Sequence, residues 1–238
     1  MIDIHSHVLP DLDDGAVDLE ESLEMLEIAA GDGIRTMVAT PHMLHGAFPV
    51  TVPDARERHA TLTAAAAERG IDVEILLGSE IHLEIDILGA LRNDEALPLG
   101  EAGKAILLEL PTTSIPTGTE NVIFEIQTEG YVVIIAHPER NDELAGNLER
   151  IAKLRDRGVL MQVTARSVTG GFGGRAKRVS RKMAKQGLID ILASDAHRAK
   201  GRVPVLSDAV AWLSKKIGEE ETMDLVTRNP ARVLGLSR

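Results

Sequence analysis

Two histidines two residues apart, His5 and His7, close the alternating, largely apolar run that opens the chain, and Asp11, Asp13 and Asp14 follow before Gly15. In an extended segment residues i and i+2 point to one side, so this pair can offer two imidazoles to one divalent ion. An isolated His-x-His reads more readily as two histidines on a surface turn. The later sequence reverses that weighting. His42 follows Thr40-Pro41, Glu80 follows Gly78-Ser79, Glu109 follows Leu108, His137 follows Ala136, and Asp195 and His197 stand in Ser194-Asp195-Ala196-His197. Scattered surface residues would not track the ends of apolar runs in this way.

The elements that must position these residues can be read from periodicity. Apolar runs over 1–5, 36–40, 72–77, 105–108, 132–136, 159–163 and 189–193 predict seven strands. Between them, Asp18 and Glu21 have capping-box spacing ahead of a face of Leu19, Leu23, Leu26 and Ala30, and further helices are expected over 54–69, 119–129, 143–157 and 175–186. Residues 83–91 read as a looser region, and two closing helices hold Trp212 and the Asn229-Pro230 turn. Strands alternating with helices predict an α/β fold with a parallel sheet closed into a barrel. Six of the seven strands end in His, Asp or Glu, and the carboxyl ends of barrel strands are where such folds carry chemistry. An open doubly wound sheet is the alternative, and its crevice also lies at strand ends.

Composition narrows the chemistry. The chain of 238 residues, 44% hydrophobic, is expected to form one domain over 1–238. A formal net charge of −11 argues against broad binding to nucleic acid or an anionic membrane, while leaving room for a local positive site. Cysteine is absent, so thiolate ligands and a cysteine nucleophile are excluded and any metal must be held by His, Asp and Glu. With no signal peptide or membrane span in the sequence, a soluble cytoplasmic protein is expected.

His5-x-His7, Asp13-Asp14-Gly15, Thr40-Pro41-His42, Gly78-Ser79-Glu80, Leu108-Glu109, His137-Pro138-Glu139-Arg140 and Ser194-Asp195-Ala196-His197 together resemble the PHP (polymerase and histidinol phosphatase) superfamily. Within it the chain is similar to the manganese-dependent bacterial protein-tyrosine phosphatases of the CpsB/YwqE type. The resemblance runs from Met1 to about Leu234. It implies a distorted (β/α)7 TIM-like barrel holding three divalent ions, manganese first, with iron or zinc as alternatives. One ion would take His5, His7, Glu80 and Asp195; a second Asp14, His42 and His197; a third Glu109 and His137, with Glu80 bridging. Arg140 and Arg202 would hold phosphate, for which a guanidinium fork is well shaped. His42 or a metal-bound water would be the proton donor to the leaving group. Three dications would outweigh the four carboxylates by two charges and give an acidic protein a local positive well. The implied substrate is phosphotyrosine on a protein, in particular the tyrosine-rich tail of a bacterial tyrosine kinase controlling capsule and exopolysaccharide synthesis.

Other readings stay open at this point. Asp11 or Asp13 could replace Asp14 as ligand, or all three could be turn residues. His45, His59 and His82 match no motif position and read as surface or helix-facing. The glycine-rich 170–174 loop reads as a mobile rim, with a phosphate cradle as the alternative, and Lys177, Arg178, Arg181, Lys182 and Lys185 read as a solvated helix face that could instead dock an acidic tail. Asn141 stands where an aromatic is expected in much of the group, and Thr164-Ala165-Arg166 replaces a more polar stretch. Both departures bear on substrate preference. Rival functions are a small-molecule phosphatase (histidinol phosphate or a nucleotide), an amidohydrolase, and a metal-loaded interaction module without turnover.

Overall fold

A computed structural model of the chain describes residues 1–84, 86–100 and 103–236. All seven expected strands form. In order, the chain builds β1 (Ile2–Ser6), α1 (Leu19–Gly31), β2 (Thr36–Ala39), β3 (His42–Met43), α2 (Val52–Arg69), β4 (Glu74–Leu77), β5 (Glu80–His82), α3 (Ile87–Arg92) and β6 (Ala105–Glu109). It continues through α4 (Thr119–Thr128), β7 (Val132–Ala136), α5 (Asp142–Gly146), α6 (Leu148–Asp156), β8 (Leu160–Thr164), α7 (Ala165–Thr169) and α8 (Gly173–Lys185). Last come β9 (Ile191–Ala193), α9 (Ser207–Ile217), α10 (Glu219–Asp224) and α11 (Arg228–Val233).

The second and third strands are each interrupted, by Thr40-Pro41 between β2 and β3 and by Gly78-Ser79 between β4 and β5. Proline cannot donate to a ladder, and Gly78 passes so close to Leu99 that a Cβ there would lie 3.0 Å from its Cα. The breaks divide the strands into two parallel sheets, β1-β2-β4 and β3-β5-β6-β7-β8-β9, where the sequence predicts one closed ladder. Between β1 and β9 runs an isolated parallel bridge, Ser6 to Ala196, with Asp195 N donating to His5 O at 2.9 Å and His7 N to Ala196 O at 2.8 Å. The short β3 and β5 serve position: their register sets His42 opposite Glu80, and β5 on β6 sets His82 opposite Glu109.

Both faces of the parallel strands are buried, as crossover helices require. On β7, Val133 and Ile135 pack into the large cluster that includes α1, α4 and α8, while Ile134 and Ala136 face a smaller cluster with Ile2, Ile4, Leu107, Ile191 and α11.

Some helices differ from expectation. The single helix expected over 143–157 is two, α5 and α6, because Asn147 leaves helical geometry (φ −140, ψ 79) and its side chain accepts from Arg150 N as a new N-cap. Three closing helices replace two, with Gly218 at φ 99 ending α9 and opening α10. The looser region contains α3, capped by the Asp86 side chain on Gly89 N, and α7 follows β8 directly.

Candidate metal centre

Eight of the nine residues expected to bind metal lie at or close after the carboxyl ends of the seven expected strands, Asp14 comes from the loop between β1 and α1, and the nine converge. His5 and His7 are almost wholly buried, with their Nε2 atoms 3.3 Å apart. His5 Nδ1 faces Gln162 Oε1 at 2.9 Å and His7 Nδ1 faces Asp13 Oδ2 at 2.7 Å, so both Nδ1 atoms act as donors and both Nε2 lone pairs are left to face each other. Two facing lone pairs at that separation need a cation or a proton between them, so the donor set fits a bound metal.

Glu80 is the hub. Its Oε2 lies 3.3 Å from His5 Nε2, 3.3 Å from His7 Nε2 and 3.1 Å from His42 Nδ1, and its Oε1 lies 2.9 Å from His137 Nε2. Asp14 Oδ1 approaches His42 Nε2 at 3.5 Å and His197 Nε2 at 3.3 Å. Asp195 Oδ1 approaches His5 Nε2 at 3.5 Å and His7 Nε2 at 3.7 Å. Glu109 Oε1 stands 3.8 Å from His137 Nε2. Ligand atoms close enough to share an ion group as His5, His7, Glu80; as His7, Asp14, His42, His197; and as His42, Glu80, Glu109. These groups overlap the three sets implied by the resemblance, but Asp195 and His137 stand outside them, and His7, His42 and Glu80 are each shared between two.

The local backbone is bent to achieve this. His137 and Asp195 adopt φ +34 and +51, a region non-glycine residues enter at a cost and which clusters at functional sites. Gly15 must be glycine, since a Cβ there would meet His7 O at 2.1 Å.

Charge is unbalanced in the protein alone. Burial pushes the His7 imidazole down, but Asp13 and Glu80 outweigh it and hold the ring well above its usual range; His5 is likewise raised against its burial by Glu80 and Asp195. Burial and the neighbouring His7 push His197 down to about 4, which keeps its ring neutral. Against their burial, Glu80 is held far below the usual carboxylate range by His5 and its other imidazoles, and Asp195 is lowered by Arg140 and His5.

Arg140 Nη2 and Arg202 Nη2 both reach Asp195 Oδ2, at 2.7 and 2.8 Å. They line a cavity of about 230 Å³ together with Asp14, His42, Glu80, Glu109, His137 and Asp195. The glycine-rich loop contributes Phe172, whose ring lies 4.7 Å from the Arg140 guanidinium carbon, 5.3 Å from that of Arg202 and 6.0 Å from that of Arg166.

The structure distinguishes the acidic residues near Gly15. Asp11 points outward toward Arg58 at 3.9 Å. Asp13 orients His7 and accepts from His42 N at 3.1 Å, leaving Asp14 nearest two imidazoles. Sequence reasoning missed Gln162, whose only signal is a polar residue inside a buried strand. It also read His45 and His82 as surface or helix-facing, whereas they are half-buried beside Glu109, His82 in the short strand β5 and His45 just after the short strand β3. His59 lies on α2 with Nε2 2.9 Å from Ile75 O.

Within an α/β fold, a buried cluster of imidazoles and carboxylates, open to a cavity walled by two arginines, has the donor chemistry of a metal centre. Comparison with known proteins is more specific. The family described as "Capsular polysaccharide synthesis, CpsB/CapC" matches residues 1–235, and the chain belongs to that family. Tyrosine-protein phosphatase YwqE of Bacillus subtilis (strain 168) is 36% identical over 235 residues, covering 96% of this chain and 92% of that one. Tyrosine-protein phosphatase CpsB of Streptococcus pneumoniae is 31% identical over 242 residues, covering 98% of each. A crystal structure from the pair YwqE of Bacillus subtilis and CpsB of Streptococcus pneumoniae, described as unique metal-dependent tyrosine phosphatases, superimposes with a TM-score of 0.94 at 35% identity, covering 100% of this chain and 96% of that one. A lactonase from Listeria monocytogenes, at 13% identity and a TM-score of 0.60, shares the fold alone, covering 95% of this chain and 89% of that one.

Proposed function

We propose that this chain is a metal-dependent protein-tyrosine phosphatase, a single domain over 1–238 with the distorted (β/α)7 PHP barrel, acting on the phosphotyrosine tail of a bacterial tyrosine kinase that governs capsule or exopolysaccharide synthesis. The observation that carries the reading is Asp195, which turns one oxygen to His5 and His7 and the other to Arg140 and Arg202. Phosphate-binding cations thus adjoin the imidazole cluster. The relatives' activity as tyrosine phosphatases supports the choice of substrate.

We assign three divalent ions, manganese first and iron or zinc next, to His5, His7, Asp14, His42, Glu80, Glu109, His137, Asp195 and His197; five imidazoles and four carboxylates form a mixed nitrogen and oxygen set suited to them. When bound, the ions supply Lewis acidity and activate water for attack on phosphorus. Gln162 and Asp13 hold His5 and His7 in the tautomer that turns Nε2 inward. Arg140 and Arg202 leave Asp195 Oδ2 to share the phosphate oxygens, and their charge stabilises the negative charge that develops there. Both ring nitrogens of His42 face carboxylates, at 3.1 and 3.5 Å, so we assign it to ion binding, not to proton donation. Phenolate, with a pKa of about 10, leaves without a strong acid. A cytoplasmic location follows from a kinase-tail substrate, and the net charge of −11 gives nucleic acid no broad surface to bind.

The test is hydrolysis of p-nitrophenyl phosphate and a phosphotyrosyl peptide with manganese present. Chelation should abolish both activities, and His137→Ala should remove turnover from a folded protein. Turnover that survives chelation would end the metal mechanism. High activity on histidinol phosphate or a nucleotide with none on the peptide would favour the small-molecule reading.

A further inference from the structure

His45 and His82 stand outside the nine-residue set, yet both are drawn to the same carboxylate. We infer that His45, His82 and Glu109 form an additional divalent-ion site at the rim of the cavity, suited to a borderline transition metal such as zinc, cobalt or nickel. Ligand atoms of the three residues all lie within 4.8 Å of one another. His82 is held by the sheet itself, its Cα paired with that of Glu109 across β5 and β6, and its Nδ1 lies 3.3 Å from Glu109 Oε2. His45 closes the third side, its ring centroid 4.9 Å from that of His82 in an edge-on arrangement.

Glu109 gives the site its character. It presents Oε2 to His82 at 3.3 Å and to His42 at 3.7 Å, and Oε1 to His137 at 3.8 Å, so it stands between the rim imidazole and the inner ones. A carboxylate disposed in this way can bridge two ions, one among the nine residues and one at the rim. Two imidazoles and one carboxylate leave coordination positions open to water, a pattern used by first-row transition metals and poor for magnesium or calcium. The wall behind the site is apolar: Phe48 packs on His45 at 5.1 Å and stacks on His42 at 5.0 Å, so the histidine-bearing loop is braced against the inner set. The side chains of His82 and Glu109 keep 25% and 18% exposure, which lets an ion reach them from solvent. Ala47 N now donates to His45 Nδ1 at 3.2 Å; Ala47 is exposed, so its amide turns to water when the ring takes an ion. Because Glu109 is shared, this site fills after the inner ones. The simpler arrangement, a His82–Glu109 hydrogen bond with His45 packed beside it, makes no demand on metal content, and this separates the two.

The experiment is a metal count on the full chain, independent of any phosphatase activity. Protein saturated with manganese and freed of excess is titrated with Co²⁺, followed by visible absorption and by elemental analysis of total bound metal. Wild type should hold one equivalent of total metal, manganese plus cobalt, more than His45→Gln and one more than His82→Gln. Co²⁺ also replaces Mn²⁺ in the inner set, so the rim site is read from the extra equivalent and the extra absorption of wild type over both variants. Circular dichroism and thermal melting establish that the variants are folded. His45→Gln is the deciding variant, because His82→Gln also removes a contact to Glu109. Equal total metal and equal absorption in wild type and His45→Gln would overturn the site. Loss of enzymatic activity in every protein would bear only on the proposed function, since the difference in metal count would still be read.

Discussion

Asp13 holds His7 Nδ1 at 2.7 Å and receives the His42 amide at 3.1 Å, so one buried carboxylate fixes two neighbouring imidazoles without needing to touch an ion. Burial works to raise its pKa, but His7 and the amides of Gly15 and His42 lower it to about 2, so it stays ionised at every working pH. Asp13→Asn keeps the shape and removes the charge that commits His7 to its Nδ1–H tautomer. Metal affinity should fall by about 10- to 100-fold, the usual cost of losing such an outer partner, while far-ultraviolet circular dichroism stays unchanged. A competition titration with a chelating dye measures this, and wild-type affinity would show that His7 is oriented by other means. This residue marks a limit of the sequence. The motif Asp13-Asp14-Gly15 signals ligand chemistry, but only the backbone path, with Gly15 pressed on His7 O, decides which aspartate faces the ring's outer nitrogen and which faces the cluster.

The strand ends were legible because periodicity and ligand residues coincide along the chain: all seven runs form strands, and the expected ligands other than Asp14 stand at or close after the ends of those runs. What periodicity does not carry is local competition for backbone groups. Asn147 splits α5 from α6 by capping Arg150 N, and Pro41 and Gly78 move half of two strands into another sheet. The 170–174 loop is a further case, since the sequence reads it as a mobile rim. Its glycines allow backbone geometry a side chain would block: Gly170 has φ +110, and a Cβ on Gly171 would lie 2.6 Å from Arg166 Nε. That close packing sets Phe172 against three guanidiniums, and Arg166 in turn donates to Gly201 O, next to Arg202. Phe172→Ala should therefore loosen the Arg140 and Arg202 pair, raising KM for an aryl phosphate by about 5- to 30-fold if each of the two lost cation–π contacts contributes roughly 0.5–1 kcal/mol, with a smaller change in kcat. Phe172→Tyr should restore most of the loss. Wild-type KM in the alanine variant would remove the loop from phosphate binding.

At the scale of the whole molecule, the first and last strands meet through another buried acid. Asp3 Oδ1 accepts from His5 N at 3.3 Å and from Ser194 N at 3.0 Å, tying β1 to the segment after β9, while Oδ2 is buried without a partner. Burial raises the Asp3 pKa to about 6, against the pull of its hydrogen bonds to Ser194 and His5. The sign follows from proton binding. Between the ordinary aspartate value of about 3.9 and this raised value, the folded protein binds the Asp3 proton more tightly than the unfolded chain does, so the contribution of Asp3 to stability falls as pH rises through that window. Below the window there is no penalty. Above pH 6 it is complete, at about 3 kcal/mol for a shift of roughly two units. Asp3→Asn keeps an acceptor for both amides and has no charge to bury. In chelator-treated protein the variant should match wild type near pH 4 and exceed it by up to about 3 kcal/mol above pH 6, read from urea midpoints at several pH values. The same pH dependence in both proteins would mean that Asp3 titrates normally and that the junction of first and last strands is insensitive to its charge. Loading with metal should narrow the difference, because dications beside His5 favour the ionised carboxylate and lower the pKa of Asp3 toward its ordinary value. The acid that joins the two ends of the fold thereby links global stability to the filling of the site those ends build.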